Sequence, residues 1–293
     1  MMSKHLKFIN LAHEVAYKNL GKTFPNPTVG CVISKNNKII STGATSSTGR
    51  PHAEEIALKK AGIKAKGATM YVTLEPCYHS SQNGSCTDQI LRSGIKDIYI
   101  SCIDQDPRTK NKSIKKLKRN KIDVFTGIEK NKTLSINNFF FKSLKKKKPF
   151  TKVKMAISND EKIAWSNYKS KWISNSKSRS YAHSLRLKSQ AILTTSKTIL
   201  KDNPRFTVRK KNKIIKYMNV VIIDKNLKIP LNINLLKNLH ERRVIIFTSR
   251  SNLKSKKLKQ LGCEIVEMKI YNNKLKLKNI FSCLYKLKIS DLS

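Results

Sequence analysis

Apolar residues recur at helical spacing near the start of the chain. Leu6, Ile9, Leu11, Ala12, Val15 and Ala16 predict one buried face of a helix over residues 5–20. Pro25 and Pro27, in Thr23-Phe24-Pro25-Asn26-Pro27-Thr28, break that pattern, because proline has no N–H to continue a helix. The apolar run Val29-Gly30-Cys31-Val32-Ile33 then predicts a buried strand. Lys35-Asn36-Asn37-Lys38 is a turn, and Ile39-Ile40-Ser41-Thr42 is its hairpin partner. After a loop rich in Gly and Ser, Pro51-His52 precedes a helix running through Glu55-Ile56-Ala57-Leu58 to about Ala61, with Gly62 as its stop. A strand at Thr69–Leu74 delivers Glu75-Pro76-Cys77 at its end. Cys86 opens a helix over Thr87–Ser93, and 98–101 and 122–125 supply further strands.

The like-charge run Lys145-Lys146-Lys147-Lys148, followed by Pro149, stays solvated and ends any preceding helix, which divides the chain into domains 1–146 and 147–293. Beyond it the pattern predicts strands at 150–157, 190–194, 220–223, 244–247 and 264–266 and a helix over 176–187. Strands alternating with helices in both halves imply an α/β layer fold.

The length, 293 residues with 39% hydrophobic content, suits two domains with real cores. No apolar run reaches membrane-spanning length, and Met1–Leu11 has no secretory character, so neither a membrane nor a signal peptide is expected. The six cysteines are scattered, which fits a reducing cytoplasm better than a disulfide framework. The net charge of +43 invites a nucleic-acid reading. Lysine, however, is spread along the whole chain among Asn and Ile, as an AT-rich coding sequence would give, and no aromatic–arginine stripe accompanies it. No dedicated nucleic-acid partner is therefore expected, although an anionic substrate is electrostatically favoured. Glycine is scarce, with only Gly262 after position 150, so no glycine-rich dinucleotide fingerprint is present.

The chemistry concentrates in His52-Ala53-Glu54, then Pro76-Cys77 and Cys86. One imidazole and two thiolates can hold zinc and leave a fourth position for water. Glu54 is not needed as a ligand and stands where it can move protons between that water and a leaving amine. This order is the signature of zinc nucleobase deaminases. Both ligand segments are predicted at helix N-termini, where the dipole favours the thiolates of Cys77 and Cys86. A structural zinc module is the competing reading, against which Glu54 and the open fourth position argue. A tRNA-editing deaminase is another, against which the eight-residue gap between the cysteines and the second α/β half argue.

The first half resembles the deaminase domain of the bifunctional riboflavin-biosynthesis deaminase/reductase family. The matching segments are Pro25-Asn26-Pro27-Thr28-Val29-Gly30-Cys31-Val32, Pro51-His52-Ala53-Glu54 and Thr73-Leu74-Glu75-Pro76-Cys77-Tyr78-His79. The second half resembles the reductase domain through Trp172-Ile173-Ser174, Leu185-Arg186 and the run from Ala191-Ile192-Leu193 to Thr198-Ile199-Leu200-Lys201-Asp202-Asn203-Pro204-Arg205-Phe206-Thr207-Val208-Arg209. The resemblance implies a zinc cytidine-deaminase-like three-layer domain followed by a dihydrofolate-reductase-like α/β domain. It implies zinc at His52, Cys77 and Cys86, with Glu54 catalytic. The substrate it implies is a small molecule, 2,5-diamino-6-ribosylamino-4(3H)-pyrimidinone 5′-phosphate, whose ribosyl side chain is then reduced by NADPH.

Carried over by position, Asn26 and Asp104 would meet the pyrimidine substrate; Asn26 could equally be a plain turn residue, and His79 a plain loop histidine. Ser170, Arg186, Phe206 and Arg209 would meet the substrate of the reductase, and Ala156, Trp172, Thr198 and Asp202 would line NADPH. Core packing competes at Trp172 and Phe206, and a solvated helix face at Arg186. The chain departs from the family at Gln82, where a basic residue is usual, and at Asp106, where an asparagine is usual. It also stops at Ser293, before the strand that in the family carries a substrate-binding glutamate and a Gly-Gly segment. On that reading the reductase half is incomplete at its C-terminus, with an open sheet edge and impaired reduction. The oligomeric state is left open between a monomer and a homo-oligomer.

Overall fold

The computed structural model describes residues 2–79, 84–163, 173–210 and 213–293. The chain divides into two compact units, Met1–Lys146 and Lys147–Ser293.

In the first unit the elements run α1 (Met2–Tyr17), β1 (Gly30–Lys35), β2 (Lys38–Ala44), α2 (Ala53–Ala61), β3 (Thr69–Leu74), α3 (Cys86–Ser93), β4 (Asp97–Cys102), α4 (Lys112–Arg119), β5 (Asp123–Thr126), α5 (Lys130–Ile136) and α6 (Asn138–Lys146). The five strands form one sheet in the order β2-β1-β3-β4-β5. The hairpin β1–β2 and the pair β1–β3 are antiparallel, whereas β3–β4 and β4–β5 are parallel. Alternation along the strands sorts side chains to two faces. Cys31, Ile33, Met70, Val72, Ile98 and Ile100 pack on one side with Ala53 and Ala57 of α2, Ile90 of α3 and Leu117 of α4. Val32 and Tyr71 face the other way, against Phe8, Ile9 and Ala12 of α1.

Two glycines allow the helices to approach closely. A Cβ on Gly30 would lie 1.9 Å from the Ala12 carbonyl oxygen of α1, and one on Gly43 would lie 2.1 Å from the Ala53 carbonyl oxygen of α2. The first turn of α2 thus rests directly on β2, which fixes the height of the residue preceding it, His52.

The second unit contains β6 (Phe150–Thr151), α7 (Ser176–Leu187), β7 (Ala191–Thr195), α8 (Ser196–Asp202), β8 (Thr207–Lys210), β9 (Lys213–Tyr217), β10 (Asn219–Ile223), a 3₁₀ segment (Asn234–Glu241), β11 (Val244–Thr248), α9 (Leu253–Gln260), β12 (Glu264–Glu267), α10 (Leu277–Lys286) and β13 (Asp291–Leu292). Its six-stranded sheet has the order β12-β11-β10-β7-β13-β6, with parallel pairs throughout, and β8–β9 form a separate antiparallel hairpin. Val220, Ile222, Val244 and Ile246 face Ile199 of α8 and Leu258 of α9. Val221, Ile245 and Phe247 face Ile280 and Leu284 of α10. Among the described residues no helix is long and apolar enough to cross a membrane.

The structure corrects one sequence expectation in this sheet. The strand predicted over 150–157 is only Phe150–Thr151. Its ladder with β13 involves only Asp291 and Leu292, so the residues that follow have no neighbouring strand to bond, and Val153 and Met155 stand exposed. The sheet keeps an edge at β6, which has no described strand on its far side, although β13 itself is paired on both sides. β13 lies between β7 and β6, and Leu193 N–H donates to the Ser293 carbonyl at 3.0 Å.

Candidate active site

Three side chains converge in the first unit. His52 is the N-cap of α2, in extended conformation (φ −73°, ψ 165°), and its backbone N–H donates to Glu55 Oε2 at 2.8 Å. Cys77 leaves the end of β3, and Cys86 is the first residue of α3. Ser85 caps α3, its Oγ accepting from Asp88 N–H at 3.1 Å. The two cysteine segments are laced together, since Thr87 donates to the Cys77 carbonyl from both its backbone N–H (3.2 Å) and its hydroxyl (2.9 Å).

One ligand of each of His52, Cys77 and Cys86 lies within 4.8 Å of the others, and His52 Nδ1 is 3.3 Å from Cys86 Sγ. Tetrahedral zinc with bonds of about 2.0–2.3 Å needs donors about 3.3–3.8 Å apart. The nitrogen and two sulfurs therefore suit that ion in kind, and the His52–Cys86 separation matches it in spacing.

The expectation that both cysteines sit at helix N-termini holds for Cys86 and needs correction for Cys77, which is on a loop. The α3 terminus nevertheless reaches it, because Cys86 N–H donates to Cys77 Sγ at 3.3 Å. The Cys77 thiol is pushed down to about 4, first by its hydrogen bond with the Cys86 thiol, against burial and with help from His52 and the Cys86 N–H. Cys86 is pushed up by the same shared bond and by burial. The shared bond thus favours the thiolate at Cys77 over Cys86, and a divalent cation between the two sulfurs would favour the thiolate at both. Burial works against a charged His52, but hydrogen bonding to Cys77 and the Glu54 charge outweigh it and raise its pKa.

Glu54 is 3% exposed, and burial raises its carboxyl to about 7, against the pull of His52. A metal cation nearby would draw it back down.

Around this centre, Asn26 Nδ2 donates to the Gly49 carbonyl at 2.9 Å, which holds the side chain over the loop before His52. Asp104 is buried, and its Oδ1 accepts from Asp106 N–H at 3.0 Å. Burial pushes its carboxyl up to about 7. Asp106 is gripped by Arg108, whose Nε lies 3.0 Å from both carboxylate oxygens. Burial opposes ionisation of Asp106, but Arg108 holds its pKa below the ordinary carboxylate range. His79 Nδ1 lies 3.5 Å from Thr109 Oγ1. Gln82 lies outside the described residues.

Two organising residues were missed in the sequence. Glu75 accepts from Asp104 N–H (3.2 Å), Asn111 N–H (3.1 Å) and the Ser113 hydroxyl (2.9 Å), and so ties the loop after β4 to the strand that carries Cys77. A carboxylate at the buried end of a strand was its only signal. Asn137 clamps Thr28, accepting from its N–H at 2.7 Å and donating to its carbonyl at 3.0 Å. Nothing local in the sequence marks it.

In the second unit Ser170 and Trp172 lie outside the described residues. Thr198 and Asp202 are exposed, one helical turn apart on α8, and Ala156 is half-buried in an irregular segment. Arg186 of α7 is half-buried rather than on a solvated face, and burial lowers its pKa. Arg209 lies on β8, and its N–H donates to His183 Nδ1 at 3.5 Å. Burial lowers the His183 pKa, and the charges of Arg186 and Arg209 lower it further, so the two arginines flank one histidine. Phe206 has φ +45° and packs, partly buried, against the core.

Residues 2–102 match the family described as the cytidine and deoxycytidylate deaminase zinc-binding region, and residues 149–293 match the RibD C-terminal domain. The chain is 39% identical over 289 residues to riboflavin biosynthesis protein RibD of Aquifex aeolicus, covering 97% of this chain and 78% of that protein. It is 32% identical over 288 residues to the RibD protein of Actinobacillus pleuropneumoniae, covering 98% and 76%. The crystal structure of a diaminohydroxyphosphoribosylaminopyrimidine deaminase/5-amino-6-(5-phosphoribosylamino)uracil reductase from Thermotoga maritima superposes with a TM-score of 0.83 at 32% identity, covering 99% of this chain and 80% of that one. Acinetobacter baumannii RibD gives 0.87 at 31% identity, covering 100% and 80%. The chain belongs to the RibD family of riboflavin-biosynthesis enzymes, which join a zinc-dependent deaminase domain to an NADPH-dependent reductase domain.

Proposed function

We propose that His52, Cys77 and Cys86 hold the zinc of the deaminase domain and that Glu54 is its proton carrier. The observation that carries this reading is the convergence of one imidazole and two thiols within 4.8 Å, beside a fully buried carboxylate two residues beyond the histidine. Zinc bound there supplies a Lewis acid that brings the pKa of water toward neutrality. Glu54 takes a proton from the attacking water and returns it to the departing amine, so that ammonia leaves uncharged. Burial keeps that carboxyl out of bulk water, so the proton it holds is not lost between the two transfers.

The substrate is 2,5-diamino-6-ribosylamino-4(3H)-pyrimidinone 5′-phosphate, with Asn26 and Asp104 against the base. In the second domain, residues 147–293, Ala156, Trp172, Thr198 and Asp202 line NADPH. Ser170, Phe206, Arg186 and Arg209 meet the deaminated product, and the two arginines suit its phosphate. The pairing of Arg186 and Arg209 about His183 supports that assignment. The enzyme works in the cytoplasm on a small molecule.

Glu54→Gln keeps the shape of the side chain but cannot carry the proton. Ammonia release from the pyrimidine substrate should fall by about 10²–10⁴-fold, while zinc content and thermal midpoint stay at parent values. Near-parent turnover by this variant would remove Glu54 from the mechanism.

A further inference from the structure

Arg242, just ahead of β11, is 6% exposed. Its guanidinium lies over the Tyr217 ring, with Cζ 4.8 Å from the centroid. Nη1 donates to the carbonyls of Arg205 (2.7 Å) and Phe206 (3.5 Å), and the buried Nε–H has no acceptor among the described residues. Among the described residues no carboxylate forms an ion pair with it. A buried cation supported only by a ring face and neutral carbonyls is costly, and such charges normally have a counter-charge.

That counter-charge has a place to sit. Arg242 lines a recess of about 210 Å³ together with Arg205, Tyr217, Asn234, Lys237 and Asn238, and no residue lining it is acidic. The volume admits several waters or one phosphate-sized ion. Arg205 and Lys237 are exposed at the rim, while Asn234 is fixed in place, its N–H donating to Asn203 Oδ1 at 2.9 Å. The polar groups lining it are three cations, two amides and a phenol, with Asn234 Nδ2 also donating to the Asn203 carbonyl at 3.2 Å. Guanidinium forks and amide N–H groups in this density match a tetrahedral oxyanion carrying two charges.

The location separates this recess from the cofactor position. Tyr217 and Arg242 precede β10 and β11, at the amino-terminal edge of the parallel strands, whereas Thr198 follows the carboxyl end of β7. Nucleotide-type ligands of such sheets occupy the carboxyl end.

We propose that this recess is a separate oxyanion site for a phosphate-type dianion, either inorganic phosphate or the phosphoryl end of a phosphate monoester. Its test is the thermal midpoint of the full chain, titrated with inorganic phosphate and, separately, with ribose 5-phosphate at constant ionic strength. An Arg209→Gln background silences the position proposed for the substrate phosphate. A saturable rise is expected with at least one of the two probes. Adding Arg205→Gln and Lys237→Gln should weaken the apparent affinity at least tenfold. Adding Lys256→Gln and Lys259→Gln, which removes the same charge from the exposed face of α9, should leave it unchanged. Response to inorganic phosphate assigns the free ion, and response to ribose 5-phosphate alone assigns the monoester. No rise with either probe, a rise that never saturates, or equal loss in both charge-removal pairs would overturn the site, the last two by showing that anions merely screen a basic chain.

Discussion

Gly43→Ala should damage the metal centre without touching any ligand. The added Cβ would lie 2.1 Å from the Ala53 carbonyl oxygen and 2.7 Å from Ala57 N, both backbone atoms of α2. Against an ordinary contact this is a shortfall of about 1.3 Å, and no flexible side chain is available to absorb it. α2 must lift off β2, and His52, bonded directly to Ala53, lifts with it. Overpacking of this kind costs about 1–3 kcal/mol, whereas zinc–ligand distances tolerate only about 0.2 Å. Zinc affinity should therefore fall by about 10–100-fold, the range seen when supports of a metal site are lost. Gly30→Ala is the matched control. Its Cβ would lie 1.9 Å from the Ala12 carbonyl on α1, which packs on the other face of the sheet and carries no ligand. It should lose comparable stability in urea and keep its zinc affinity in a chelator-competition titration. If Gly43→Ala keeps parent zinc affinity while losing stability, or if Gly30→Ala loses zinc to the same extent, the idea that α2 docking sets the His52 position is wrong.

Two further outcomes follow from the loop after β4. Burial raises Asp104 to about 7 in the folded chain, above about 3.9 for an unfolded aspartate. The folded state therefore binds the extra proton between those values, and stability falls as pH rises from about 4 to about 7, by on the order of a few kcal/mol. Asp104→Asn should flatten that slope in urea midpoints measured across the range, and parallel slopes for variant and parent would refute the assignment. Glu75→Ala strands the N–H groups of Asp104 and Asn111 and the Ser113 hydroxyl. It should cost about 3 kcal/mol or more, given about 1–3 kcal/mol for each of the three groups left unpaired, and faster amide exchange across residues 103–113 should accompany the loss.

The parts of this molecule legible in its sequence are those that depend on short-range pattern. Alternation and helical spacing locate most of the sheet strands and α2, α3 and α7, though not β13, because each element hides one face from water. The convergence of His52, Cys77 and Cys86 is legible because such donor types are rare and ordered. The strand expected over 150–157 failed because ladder bonds depend on a partner strand far away in sequence, and β13 offers only Asp291 and Leu292. Asn137 was invisible for the same reason, since its meaning lies in the backbone of Thr28, 109 positions away. The Arg242 recess was missed because only the fold shows that one arginine among so many basic residues is buried without a carboxylate.

The same contrast explains how a chain of 61 basic and 18 acidic residues can hold a metal centre that needs negative charge. A lysine on a solvated surface costs little, since water serves its ammonium and its stem lies along apolar neighbours. A carboxylate cannot be exchanged so freely where backbone donors depend on it. Several acids of the first unit stand at such points. Glu55 receives His52 N–H, Asp88 bonds the Ser85 cap and Lys116 beside Cys86, and Glu75 holds the loop that carries Asp104. Asp106 stands where the family resemblance calls for a neutral asparagine, and its added charge is cancelled on the spot by Arg108. Basic drift over the surface and a charge-balanced site are therefore compatible, because the first is decided by bulk water and the second by individual hydrogen bonds at fixed distances.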